Sequence, residues 1–157
     1  MKYFSIKEFE HSDTAERYNI DNTVTDKNIK DNIVALVDNV LDPLRDRYGK
    51  PIMISSGYRS FELNKKIGGS RTSQHCKGQA ADLYTNEGVK GLRELVRIII
   101  DDNLKFDQLI FEHSGRGYWL HLSYTRTGVN RRQYMIYDNG TYTTYRPEEM
   151  RAIVCVK

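Results

Sequence analysis

The sequence has 157 residues, the size of one domain on the usual scale of roughly 100 to 200 residues. Its composition is 39% hydrophobic and 29% charged, which is typical of globular proteins and excludes collagen-like and disordered chains. The net charge of +3 is small for a dedicated nucleic-acid binder. We therefore expect residues 1–157 to form a single domain with its own hydrophobic core.

Cysteine content and hydropathy restrict the class of protein further. Cys76 and Cys155 are too few for a disulfide framework and have no CxxC spacing for a thiolate zinc site. The most apolar stretch, residues 95–100, contains Arg97 and is far shorter than the roughly 20 residues of a membrane span. Charged residues interrupt the first ten positions, where a secretory signal would be apolar. We expect a chain that is made in the cytoplasm without a signal peptide and acts elsewhere only after release.

Helical periodicity is clear in two segments. Apolar residues recur at helical spacing along one face of residues 28–47 and again along residues 89–102. Pro43 lies inside the first segment and predicts a kink or an early end near Asp42. Both segments have the pattern of helices that bury one stripe against a core.

Alternating and β-branched residues predict strands in the rest of the chain. A short strand is predicted at residues 51–55, followed by a turn. Two hairpins are predicted, the first from residues 106–112 and 118–124 and the second from residues 132–137 and 141–146. Helices packed on a mostly antiparallel sheet make the predicted fold class α+β.

Two histidines lie in unusual sequence surroundings. His75 precedes Asp82 by seven residues, with small residues between them. His121 lies on a predicted strand whose alternation places Trp119, His121 and Ser123 on one face. Two histidines and one carboxylate are a common catalytic zinc set, because they leave the fourth tetrahedral position for water. Spacing alone leaves the alternative open that these are ordinary hydrogen-bonded residues.

Several short motifs resemble those of one known family. In chain order they are Ser56-Gly57-Tyr58-Arg59-Ser60, Leu63-Asn64, Gly68-Gly69-Ser70, Ser73-Gln74-His75, Gly78-Gln79-Ala80-Ala81-Asp82 and Trp119-Leu120-His121-Leu122-Ser123. Together they resemble the zinc D-alanyl-D-alanine carboxypeptidase family, which includes cell-wall endopeptidases of bacteriophages and shares its fold with the hedgehog signalling domain. The resemblance covers roughly residues 3–147 and implies a fold of the hedgehog/DD-peptidase type.

The resemblance also implies roles for particular residues. His75, Asp82 and His121 would hold one Zn²⁺ ion. Arg59 would be catalytic, polarising the carbonyl of the scissile bond and stabilising its developing oxyanion. Ser73 would bind the substrate backbone, although a serine that only stabilises its own loop is an open alternative.

The general base is where this chain departs from the family pattern. Several family members carry an acidic residue three positions before the second histidine, where this chain has Tyr118. The nearest acid is Glu112, which a tight hairpin would place across from Trp119 and on the same side as His121. We predict that Glu112 takes a proton from the attacking water and passes it to the leaving amine. A shift of one residue in the strand register would turn it to the other face.

Two neighbouring residues have more than one interpretation. Family members with a His-x-His motif have a histidine where Trp119 stands, so we expect Trp119 to form a wall of the cleft and contact substrate. His113 is either a surface turn residue, a donor to the transition state or a replacement ligand.

These observations favour a zinc metallopeptidase that hydrolyses peptide bonds of bacterial peptidoglycan, as an endopeptidase or a D-Ala-D-Ala carboxypeptidase of phage or prophage lysis type. Its partners would be peptidoglycan stem peptides, with neither nucleic acid nor membrane involved, and we expect a monomer. Residues 113–137 contain four arginines and no acidic residue, so this segment either attracts acidic substrates or is a solvated loop. The alternative function is a zinc-containing, non-catalytic module that binds the cell wall or a protein.

Overall fold

The structure, a computed structural model, describes residues 1–155. Its helices are α1 (Ile6–Glu10), α2 (Asp13–Arg17), α3 (Lys27–Leu36), a π-helical turn (Val37–Leu41), α4 (Asp42–Tyr48), α5 (Phe61–Lys66), a 3₁₀ turn (Gln74–Lys77), α6 (Gly88–Asp101) and α7 (Pro147–Val154). Its strands are β1 (Ile52–Ser56), β2 (Ala80–Thr85), β3 (Gln108–Ser114), β4 (Gly117–Ser123), β5 (Gln133–Asp138) and β6 (Thr141–Tyr145).

The six strands form one sheet in the order β1-β2-β4-β3-β5-β6. Among the described strands, β3 and β5 pair in parallel, and the other neighbours are antiparallel. Both predicted hairpins are present, as β3–β4 and β5–β6. The predicted α+β class with a mostly antiparallel sheet is therefore confirmed.

One face of the sheet is covered by helices. The core contains Leu83 of β2, Leu109 of β3 and Leu120 of β4, which are fully buried with Leu36 of α3 and Leu95 of α6. Because side chains alternate along a strand, the residues between these positions point to the opposite face. That face carries Asp82, Glu112 and His121, so the fold separates a structural side of the sheet from a polar side.

The helix predicted at residues 28–47 is present, but it does not end at Pro43. Helix α3 continues through the π-helical turn Val37–Leu41 into α4, and Pro43 lies in the first turn of α4. A π turn changes the hydrogen-bond register by one residue, which accommodates a proline that has no N–H to donate. The Asp42 carboxylate then accepts hydrogen bonds from the backbone N–H groups of Lys2 and Tyr3, at 2.5 and 3.1 Å.

Several short helices begin at a side-chain cap. Ser5, Ser12, Asp26 and Ser60 each accept a hydrogen bond from a backbone N–H in the first turn of the helix that follows. Such caps stabilise a helix end by about 1 kcal/mol each. The sequence periodicity missed α1, α2 and α5 because five or six residues are too few to show a helical repeat. In residues 1–155, no helix combines the length and the apolar character that a bilayer span requires.

Candidate metal centre

Three side chains converge on the polar face of the sheet. Asp82 of β2 lies directly opposite His121 of β4 in the strand register, and His75 lies in the 3₁₀ turn that precedes β2. His121 Nδ1 is 3.0 Å from Asp82 Oδ1, and His75 Nε2 is 3.3 Å from the same oxygen. All three side chains are nearly buried. One ligand atom from each can lie within 4.8 Å of the others, so the group could hold a metal ion.

The orientation of His75 is fixed by its own backbone and by a neighbouring loop. Ser73 caps the 3₁₀ turn, where its Oγ accepts a hydrogen bond from the His75 backbone N–H at 3.2 Å. The His75 Nδ1 donates to the Gly57 carbonyl oxygen at 2.7 Å. A hydrogen bond of this kind selects the tautomer and aims the other ring nitrogen. The Nε2 lone pair of His75 therefore points at the carboxylate of Asp82.

The donor set fits a divalent cation such as Zn²⁺. Burial lowers the pKa of His75, so its imidazole is neutral. Burial alone would raise the pKa of Asp82, but the two histidines outweigh it and hold that pKa well below its usual range. With the His75 proton on Nδ1, the Nε2 lone pair and an ionised carboxylate oxygen face each other at 3.3 Å. An imidazole nitrogen, an ionised carboxylate oxygen and a second imidazole are the donor types that Zn²⁺ binds in proteins.

Arg59 lies on the other side of the same carboxylate. Its Nη2 donates to Asp82 Oδ2 at 3.3 Å, and its Nε donates to Ser56 Oγ at 2.9 Å. The Arg59 backbone N–H also donates to the His75 carbonyl oxygen, at 3.2 Å. The guanidinium thus holds the carboxylate oxygen that is turned away from the histidines. Within residues 1–155, its Nη1 has no hydrogen-bond partner, which leaves donors for a bound molecule.

Glu112 occupies the position that the hairpin register predicted. It lies opposite Trp119, and Ile110 lies opposite His121, so Glu112 and His121 share the polar face. Burial, together with the negative charge of Asp82, raises the pKa of Glu112 to about 7. The positive charges of the site and a hydrogen bond from Trp119 act in the opposite direction. A carboxyl group with this pKa can both accept and release a proton near neutral pH.

The contacts of Ser73 and His113 within the fold are structural ones. Ser73 is close through its cap on His75, and a role toward substrate stays a prediction. His113 points to the face opposite Glu112, where its Nδ1 lies 2.9 Å from Asp138 Oδ1 and its ring stacks on Tyr118 at 4.2 Å. These contacts favour the interpretation of His113 as a residue at the end of a hairpin.

The arginines of residues 113–137 take part mainly in the fold. Arg131 donates two hydrogen bonds to the buried carboxylate of Asp107, at 2.9 and 2.7 Å. Arg132 donates to Asn103 at 2.7 Å, and Arg126 donates to Asn32 at 3.3 Å. These contacts explain much of the positive charge of the segment without an anionic partner.

Two tyrosines on the polar face were missed by the sequence analysis. Tyr137 of β5 is paired with Glu112, and Tyr142 of β6 is paired with Tyr137. Alternation within the second predicted hairpin places these two residues on one face. The parallel pairing of β3 with β5 was the missing information, because no local pattern predicts which distant strands become neighbours.

The comparison with known families agrees with this geometry. A family model described as Peptidase M15 matches residues 2–122. The chain belongs to the peptidase M15 family. As a family, M15 peptidases are zinc-dependent hydrolases of the cell-wall peptidase type. The resemblance drawn from the motifs is therefore confirmed at the level of the family. A search of curated proteins finds no match to this chain.

The contact between Gly57 and helix α1 gives a test of how the metal centre is held. A Cβ at Gly57 would lie 2.7 Å from the Phe9 Cα, so Gly57→Ala must displace the loop that accepts the His75 Nδ1 hydrogen bond. Loss of such an orienting contact typically lowers metal affinity about 10- to 100-fold. We expect that loss in a competition titration of zinc with a chromophoric chelator.

Gly115→Ala is the matched control for Gly57→Ala. A Cβ at Gly115 meets nothing within 4 Å, so zinc affinity should be unchanged in this variant. Equal affinities for the two variants would show that the Gly57 contact does not orient His75.

The raised pKa of Glu112 predicts a change in stability with pH. The ordinary pKa of glutamate is 4.5, and that of Glu112 in the folded chain is about 7, so the unfolded chain releases this proton first. The free energy of unfolding of the metal-free protein therefore falls as pH rises from about 4.5 to 7. We expect the free energy of unfolding of Glu112→Gln to lack this fall. Near pH 7 the variant should therefore gain stability relative to the wild type. The gain should be less than ~3 kcal/mol, because Glu112 is partly solvated.

Urea unfolding of wild type and Glu112→Gln in chelator, at several pH values between 4.5 and 7.5, measures this difference. The exposed Glu148→Gln is the control and should follow the wild type. A constant difference between wild type and Glu112→Gln over the whole range would contradict the raised pKa.

Proposed function

We propose that the chain is a zinc metallopeptidase that hydrolyses peptide bonds in the peptide part of bacterial peptidoglycan, as an endopeptidase or a D-Ala-D-Ala carboxypeptidase. The observation that carries the proposal is the convergence of three ligand atoms of His75, Asp82 and His121 beside a carboxyl group, Glu112, whose pKa lies near neutrality. Membership of the M15 family supports the same reaction class.

The reaction needs a metal that acts as a Lewis acid, a base and a group that stabilises negative charge. When bound by His75, Asp82 and His121, Zn²⁺ supplies Lewis acidity, which lowers the pKa of water towards about 7. Glu112 accepts the proton of the attacking water and delivers it to the leaving amine. Its position on the same face as His121 and its pKa of about 7 suit both transfers.

Arg59 contributes positive charge to the same site. Its hydrogen bond to Asp82 Oδ2 orients the carboxylate, and Nη1 is available to the carbonyl oxygen of the scissile bond as negative charge develops there. In this proposal Trp119, which lies opposite Glu112 in the register, contacts the substrate as a wall of the cleft, and Ser73, which caps the turn that carries His75, binds substrate backbone.

The proposal extends to the source and organisation of the protein. The resemblance to bacteriophage cell-wall endopeptidases supports a lysis enzyme of phage or prophage type that acts on the wall after release. We treat residues 1–157 as one zinc peptidase-like domain with one Zn²⁺ ion, working as a monomer.

A second candidate function is a zinc-containing module that binds the cell wall or a protein without catalysis. Its support is Tyr118, which stands three residues before His121 where several family members have an acid. Glu112 favours the enzyme, because a carboxyl group on the polar face supplies what the position of Tyr118 lacks.

The product profile of purified peptidoglycan tests the proposed activity. We expect zinc-loaded protein to release fragments with new amine termini, detected by mass spectrometry, and the fragments identify the bond. Chelation and His75→Ala should both abolish release, because His75 is a proposed ligand. His113→Ala is the matched control and should keep activity, because His113 points away from the site.

An active His75→Ala variant that binds no zinc would contradict the metallopeptidase proposal. A wild-type protein that retains one zinc per chain and releases nothing would favour the binding module.

The role of Glu112 is tested by Glu112→Gln, which keeps the size of the side chain and removes its capacity to exchange a proton. We expect kcat to fall about 10²- to 10⁴-fold with one zinc per chain retained, measured by turnover and by metal analysis. Glu148→Gln should have the activity of the wild type. Retained turnover in Glu112→Gln would mean that another group is the base.

A further inference from the structure

The hairpin β5–β6 places two aromatic side chains at one end of the polar face. Tyr137 pairs with Glu112 across β3 and β5, and Tyr142 pairs with Tyr137 across β5 and β6. The two rings are in contact, with centroids 4.6 Å apart and planes inclined by 48°. This hairpin lies beyond residues 2–122, the part of the chain that the family model matches.

Tyr142 lies on the same face of the sheet as Glu112. Tyr137 is the direct neighbour of Glu112 in the strand register, and Tyr142 is the direct neighbour of Tyr137. Tyr142 is therefore two strand intervals from Glu112, roughly 10 Å, and its side chain belongs to the same polar surface.

The hydroxyl of Tyr142 is a free hydrogen-bond donor on this surface. Tyr142 is 56% exposed, and its hydroxyl has no hydrogen-bond partner in the part of the chain from Met1 to Cys155. Burial, together with the neighbouring Glu112 and Asp82, raises the pKa of the Tyr142 phenol, which therefore keeps its proton near neutral pH. The negative charges of Glu112 and Asp82 repel a carboxylate ligand more strongly than the oxygen of a neutral amide.

We propose that Tyr142 is a substrate-contacting residue, which forms the wall of the cleft beside Glu112 with Tyr137 and donates a hydrogen bond to a carbonyl oxygen of the bound peptide. The inference rests on the proposed function, since it takes a peptide as the molecule bound at this face. It assigns the hairpin β5–β6 to recognition of uncharged peptide backbone.

Tyr142→Phe tests the inference, because it removes the hydroxyl and keeps the ring. We expect kcat/KM of the zinc-loaded protein towards a stem peptide to fall about tenfold, the effect of one hydrogen bond of about 1.4 kcal/mol. Zinc content should be unchanged, because Tyr142 is not among the ligands. Tyr145→Phe is the matched control, since Tyr145 lies on the same strand and faces the helices, and it should retain wild-type values.

A binding measurement keeps this test independent of catalysis. Trp119 is the single tryptophan and lies beside Glu112, so its fluorescence reports binding of the same peptide to metal-free protein. We expect the Kd to rise several-fold in Tyr142→Phe and to stay constant in Tyr145→Phe. This result would support the inference even if the wild type released no product, in which case only the proposed hydrolysis would fail.

Three outcomes would overturn the assignment of Tyr142. One is a Tyr142→Phe variant that equals the wild type in both kcat/KM and Kd. Another is a loss confined to peptides with a free terminal carboxylate and absent from amidated ones, because the hydroxyl would then serve a carboxylate. The third is a wild-type protein that does not bind the peptide at all.

Discussion

The ionised carboxylate of Asp82 is almost completely buried. Burying such a charge costs several kcal/mol unless it is paired and hydrogen-bonded. One oxygen of Asp82 faces both imidazoles, and the other accepts a hydrogen bond from Arg59. The local arrangement of three separate chain segments follows from the need to satisfy this one group.

The three residues that contact Asp82 lie on different elements of the fold. The antiparallel register of β2 and β4 sets His121 directly opposite, while a capped 3₁₀ turn presents His75. The turn after β1 carries Arg59, whose backbone N–H is bonded to the His75 carbonyl. Because the segments are also bonded to one another, a displacement of one of them disturbs the whole centre. This connection explains why Gly57, which is not a ligand, is important to the geometry.

Contacts near the chain start support the same centre. Tyr58 donates its backbone N–H to the Phe9 carbonyl at 2.8 Å, and Gly57 packs directly against Phe9. Phe9 is itself fully buried in the core. The orientation of His75 is thus connected through Gly57 to the packing of α1.

Much of this architecture could be predicted from local sequence pattern. The apolar stripe of α6 and the alternating apolar residues of the two hairpins predicted the ends of these elements to within two residues. They could do so because a half-buried helix or strand has a visible hydrophobic period. The register of the first hairpin was enough to predict the face of Glu112. Strand β2 was missed because Ala80, Ala81, Asp82 and Leu83 are all buried and show no alternation.

The remaining features depend on contacts between distant residues. The π-helical turn before Pro43 and the contact of Arg59 with Asp82 cannot be read from neighbours in sequence. The same holds for the position of Tyr142 near Glu112, which depends on which strand lies beside β3. The family resemblance and the hairpin register therefore suggested the candidate ligands and the candidate base, whereas the proposed part of the hairpin β5–β6 required the structure.

Strand β6 lies at the edge of the sheet, away from the strands that carry the candidate metal ligands. The groups that could hold the metal lie on or next to β2 and β4, inside the sheet, where a substitution disturbs neighbours on both sides. Strand β6 pairs only with β5 among the described strands, so its side chains have cross-strand partners on one side only. The exposed residues of β6 are accordingly where evolution or protein engineering could alter the proposed substrate contact while the group of candidate metal ligands stays intact.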